Sequence, residues 1–103
     1  MKKTDNFEII YKILHTLEIS MDLYEADCEL LSAEALGISE ARWKRLMFMI
    51  SQEKYVSGIE YYYTPGNSLP DIYFTKPEIT LKGMEYLAQN PLMTGFGRED
   101  FQL

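Results

Sequence analysis

One cysteine and one histidine stand in these 103 residues, and their scarcity removes several chemistries at once. Cys28 has no partner for a disulfide within the chain, which points to a reducing, cytoplasmic setting. One Cys and one His cannot complete a zinc site, and Asp22, Glu25, Asp27 and Glu29 lack the glycine and ligand positions of a calcium loop. His15 sits in an amphipathic stretch with no serine or cysteine nucleophile in a local motif, so it reads as a helix-surface or edge residue and not as a general base. Gly95-Phe96-Gly97 follows no strand and opens no evident helix, which leaves no phosphate-cradling loop. No enzyme activity, metal, cofactor or small-molecule substrate is expected.

Positive charge is also in short supply, with 10 Lys and Arg against 16 Asp and Glu and a formal net charge of −6. Attraction to nucleic acid comes from cations that neutralise phosphates, so the molecule as a whole repels it. The distribution is uneven: Glu18 to Glu40 holds seven acids and no Lys or Arg, and Arg42 to Lys54 reverses the sign. Internal repeats and low-complexity tracts are missing. Met1-Lys2-Lys3-Thr4-Asp5 runs into a stretch broken by Glu8, Lys12 and His15, which is expected to be neither a signal peptide nor a membrane span.

What is present is 47% hydrophobic residues, enough for one core in a chain of this length. Thr4 or Asp5 can cap a first helix whose apolar residues Phe7, Ile10, Ile13, Leu14 and Leu17 follow one buried stripe, ending near Ser20. Met21 to Leu31 reads as a tethered loop with room for a helical turn, anchored by Tyr24, Leu30 and Leu31. Ser32 caps a short helix, Ala33-Glu34-Ala35-Leu36, and Gly37 stops it by accepting the left-handed conformation. Ser39 caps a longer helix to about Glu53, with Trp43, Leu46, Met47 and Ile50 inward; the pair reads as helix-turn-helix. Tyr55 to Thr64, the turn residues Pro65-Gly66-Asn67-Ser68, and Ile72-Tyr73-Phe74-Thr75 make a hairpin that Pro77 closes. Thr80 caps a last helix packed through Leu81, Met84, Tyr86 and Leu87, ending before Asn90-Pro91. The expected class is α+β, a winged helix: a three-helix core with helix-turn-helix, a β-hairpin wing and a C-terminal helix. The domain is expected over 1–91, with a loosely ordered tail over 92–103.

Pro77-Glu78-Ile79-Thr80-Leu81-Lys82-Gly83-Met84-Glu85-Tyr86-Leu87 resembles the closing segment of many winged-helix proteins, a threonine-capped helix with Lys-Gly in its first turn. Together with the chain length, Gly37-Ile38-Ser39, and the hairpin after Lys54-Tyr55-Val56, it resembles the YjcQ family of small Firmicute and phage proteins, over roughly residues 7–90. The resemblance implies a winged helix of phage or prophage association and no particular activity, since this segment recurs in winged helices with different roles. The sequence differs from many DNA-binding winged helices in its acidic approach to the second helix.

Two kinds of working surface can be nominated. In a DNA-gripping helix-turn-helix the second helix enters the major groove, and here its candidates are Arg42, Lys44, Arg45 and Gln52, with Lys54 beyond. Stepping roughly 100° per residue from an inward Trp43 puts Arg45, Phe48 and Gln52 opposite, Lys44 on one flank, and Arg42 with Met49 on the other. The face is mixed, so DNA contact and a solvated helix surface both fit it. Phe48 and Met49 lie off the inward stripe and suit a protein partner or a homodimer, unless Met21–Leu31 or the tail folds over them. Tyr61, Tyr62, Tyr63 and Tyr73, with Phe74, place aromatics on both hairpin faces, fitting a protein interface or ordinary cross-strand pairing.

Overall fold

The computed structural model describes residues 5–101, with side chains to Phe96. The alternative cap Thr4 lies outside the described residues, as do 102 and 103 of the expected tail. The first helix, α1 (Asn6–Ile19), begins where the Asp5 carboxylate accepts the Phe7 amide at 2.7 Å. Two single 3₁₀ turns, Ser20–Asp22 and Cys28–Leu31, carry the chain to α2 (Ala33–Leu36). Ser32 caps α2 at the Ala35 amide, and Gly37 ends it at φ 71°, the left-handed geometry that a glycine adopts without penalty. Ser39 then accepts the Arg42 amide and opens α3 (Glu40–Gln52).

An antiparallel pair follows, β1 (Val56–Tyr62) and β2 (Asp71–Ile79). The expected close at Pro77 is corrected: β2 continues through it to Ile79, and Pro77 is buried. Pairing runs from Ser57↔Glu78 directly to Ile59↔Phe74, so Gly58 faces a bulged stretch containing Pro77, whose missing N–H costs no ladder bond. Gly58 takes φ 77° there, and a side chain in its place would collide with the Lys76 carbonyl. α4 (Leu81–Gln89) is capped by Thr80, as expected.

The segment from Leu92, expected to be a loose tail, is instead helical, as α5 (Pro91–Phe101). Asn90-Pro91 does more than end α4. The Asn90 side chain accepts the Leu92 amide at 3.0 Å, and proline at the first helical position has no N–H to leave unpaired. α5 brings Met93 into the core and Phe96 against Tyr11 at 5.6 Å between ring centroids.

One buried cluster draws on every helix and both strands. The inward face of α1 is Ile9, Tyr11, Ile13, Leu14 and Leu17, while Phe7 is exposed and Ile10 only half-buried. The expected stripe is corrected because α4, α5 and β2 all pack on α1, and Ile9 and Tyr11 face inward, Tyr11 against Phe96 of α5. In α3, Leu46, Met47 and Ile50 are buried and Trp43 packs against them, its indole N–H donating to the Leu31 carbonyl at 2.7 Å. Of the expected anchors in the connection only Leu31 is buried; Tyr24, in the bend between the two 3₁₀ turns, and Leu30, on the second turn, are exposed. Leu81, expected to pack α4, is exposed, and Gly83 holds the buried place instead.

Candidate functional site

The outer side of α3 meets the hairpin on one flank and α1 on the other, and this arrangement divides the basic candidates. Lys44 reaches across to β2, where its ammonium donates to Asp71 Oδ1 at 3.0 Å, with Glu40 4.0 Å away. That hydrogen bond holds the Lys44 pKa above its ordinary value. The same bond, with a second from Thr64 Oγ1 at 2.8 Å, holds the Asp71 carboxyl below the usual carboxylate range. The Arg42 guanidinium donates to Asn6 Oδ1 at the start of α1. Arg45, Gln52 and Lys54 are exposed. From Glu40 to Ile79 the cations Arg42, Lys44, Arg45, Lys54 and Lys76 are matched by Glu40, Glu53, Glu60, Asp71 and Glu78. The helix and hairpin together are therefore neutral, and the molecular excess of negative charge lies elsewhere.

The aromatic candidates are brought together. Phe48 meets the edge of Tyr61 at 4.8 Å and 77°, and Tyr61 meets Tyr63 at 6.0 Å, so one aromatic row runs from α3 onto one face of the hairpin. Tyr62 and Tyr73 pair on the other face at 5.9 Å. Phe74 turns inward against Trp43. Cross-strand packing and exposure coexist: Tyr61, Tyr62, Tyr63 and Tyr73 all remain exposed, Tyr63 at 60%. Neither Met21–Leu31 nor α5 covers Met49, which is 54% exposed.

A groove that the sequence reading missed continues this row. It has a volume of about 410 Å³ and lies between Phe7 and Ile10 of α1, Phe48 and Met49 of α3, and the stacked rings of Tyr55 and Tyr86. Those two rings lie 4.5 Å apart at 22°, and burial pushes both hydroxyl pKa values up. Lys82 sits over Tyr55 at 5.5 Å. The available signal was Met49 alone, off the stripe of its helix, because the spacing put Phe7 on the buried stripe of α1. The groove appears only when α1, α3 and α4 are placed together.

His15 is half-buried and stacked on Tyr11 at 5.2 Å, and Cys28 is exposed. Among the described residues no group of three His, Cys, Asp or Glu is placed to hold a metal ion, and no helix is long and apolar enough to cross a membrane.

The architecture is that of a small α+β protein whose third helix and hairpin share one exposed aromatic surface. The chain belongs to the YjcQ family, whose model, described as YjcQ protein, matches residues 11–96. It is similar to the YjcQ protein from Bacillus subtilis, known from a solution NMR structure, with 24% identity over 80% of this chain and 91% of that one, and a TM-score of 0.48. No curated protein matches it.

Proposed function

We propose that this chain is a non-enzymatic winged-helix binding module whose α3 and hairpin contact another protein, in an accessory regulatory role. The order of three helices, a projecting hairpin and further helices supports the winged-helix reading. The observation that carries the choice of partner is the row of half-buried Phe48 and exposed Tyr61 and Tyr63, continued by Met49 and the groove to Phe7, on a surface with balanced charge. Aromatic and methionine side chains are enriched where proteins meet, and stacking on nucleic acid is ordinarily accompanied by cations. A phage or prophage setting and a cytoplasmic location belong to the same proposal, resting on the resemblance and the lone cysteine.

A DNA-reading version is favoured by one observation, the exposure of Arg45, Gln52 and Lys54. It would assign Arg45 and Gln52 to base edges and Arg42, Lys44 and Lys54 to phosphates. The two versions separate in one pair of measurements. A photo-crosslinking residue at Met49 or Tyr63, in cells that carry the gene, is expected to join a discrete protein, while one at Ala88 does not. Random duplex titrated at low salt is expected to give no saturable binding. Saturable duplex binding that falls steeply with salt and is lost on reversing Arg42, Lys44 and Arg45 would overturn the protein-binding reading. A homodimer using the same surface would appear in sedimentation across a dilution series, and loss of that dimer in Phe48→Ser would identify the second copy as the partner.

A further inference from the structure

A second apolar surface lies at the other end of α1. Ile19, Met21, Leu23, Tyr24 and Leu30 are all exposed, Leu23 at 62% and Tyr24 at 99%. Scattered exposed apolar residues are ordinary, but five large ones within a dozen positions are not. Met21, Leu23 and Tyr24 also converge on a groove of about 140 Å³ between the first 3₁₀ turn and the end of β2, floored by Leu17, Pro77 and Ile79. A cavity of about 150 Å³ holds a benzene, so this one has room for a single apolar side chain. The surroundings are predominantly acidic: Glu25 and Glu78 line the groove against one cation, Lys76. Glu18, Asp22, Glu25, Asp27 and Glu29 punctuate the same stretch, and it contains no Lys or Arg.

We propose that this surface docks a cationic amphipathic segment of a partner protein, with an apolar side chain seated in the groove and flanking Lys or Arg meeting the carboxylates. The carboxylates repel an acidic or nucleic-acid occupant and attract a basic one, while the groove selects basic segments that carry an apolar anchor. Ile19 lies about 18 Å along α1 from Phe7 at the helical rise, so this surface is separate from the aromatic one and the module can hold two partners.

The test uses the full chain and two synthetic peptides of equal positive charge, one combining Lys with Leu and the other Lys with Ser. The Lys/Leu peptide is expected to bind about tenfold more tightly or better, because burial of one leucine-sized side chain separates the two. Amide shifts are expected to move over Glu18–Leu30 and Lys76–Ile79. Leu23→Ser with Tyr24→Ala is expected to abolish the difference between the peptides, and both positions are exposed enough to leave the fold intact. Phe48→Ser, which disrupts the other surface, is expected to leave peptide binding unchanged. Equal affinity for the two peptides, no binding of either, shifts centred elsewhere, undiminished binding in the double variant, or loss in Phe48→Ser would each overturn the proposal.

Discussion

Alanine at position 83 should destabilise the protein although it improves the helix. In an exposed helix the exchange of glycine for alanine gains about 1 kcal/mol. At Gly83 the added Cβ would come to 2.8 Å of Ile79 Cγ1 and closer still to the Tyr55 carbonyl oxygen. α4 cannot simply retreat. The Thr80 amide donates to that same Tyr55 carbonyl at 3.0 Å, and the Thr80 hydroxyl donates to the Lys54 carbonyl at 2.6 Å. Overpacking of this kind costs about 1–3 kcal/mol, and loosening either bond adds about 1 kcal/mol. After subtraction of the propensity gain, a net loss of about 2 kcal/mol remains, a fall in Tm of roughly 10 °C for a domain of this size. Gly95 in α5 is the internal control, because a Cβ there meets nothing within 4 Å. Gly95→Ala is expected to raise Tm by a few degrees in the same calorimetric or circular-dichroism scan. If both variants gain stability, α4 does not approach Tyr55 as closely as described, and the packing of the hairpin base is wrong.

Three other perturbations test other parts of the structure. Trp43→Phe keeps a ring beside Phe74 but leaves the carbonyl of fully buried Leu31 without its donor; a loss of about 2 kcal/mol is expected in urea denaturation. Asn90→Ala removes the cap of α5, costing about 1 kcal/mol and speeding hydrogen exchange in its first turn without affecting that of α3. Asp71→Asn should flatten stability against pH at both ends. The Asp71 pKa is lowered by folding, so its contribution is present above the ordinary value of 3.8 and is lost as pH falls through the folded value. The Lys44 pKa is raised, so its contribution is present below 10.5 and is lost as pH rises through the folded value. Denaturation midpoints that keep their full acid and alkaline limbs in the variant would refute the Lys44–Asp71 linkage.

The elements that were legible in the sequence are those decided locally. Asp5, Ser32, Ser39 and Thr80 each cap the helix that follows, and Gly37 stops α2, because a cap is a bond between residues two or three positions apart. The hairpin was legible for a similar reason, with Pro65 and Gly66 in a turn closed by the Asn67 amide on Thr64. The features that were not legible depend on distant partners. The side of α1 that is buried depends on α4, α5 and β2 together, and the glycines at 95 and 97 weakened the helical signal of α5. Pro77 stays in its strand because it lies in the bulge of β2 that Gly58 faces. Lys44 was nominated for phosphate contact, but its partner Asp71 lies 27 residues away. The aromatic half of the candidate surface was legible only in part: helical spacing sends Phe48 and Met49 off the stripe of α3, but Tyr61 and Tyr63 share the face of buried Ile59 and are exposed because they lie further toward the tip. The groove beside it needed three helices in place.

Thr80 has a consequence for how the hairpin can move. Its hydroxyl donates to Lys54 where β1 begins and accepts from Gly83 as α4 begins, while its amide holds Tyr55. The root of the hairpin is thus clamped to helices on both sides. Further out, Lys44 of α3 holds Asp71, which also accepts from Thr64, and Phe48 of α3 meets Tyr61, while Tyr63 to Asn67 are exposed. A load applied at the tip is resisted by α3 along the ribbon as well as at its base, so the hairpin behaves as a braced arm and not as a hinged flap.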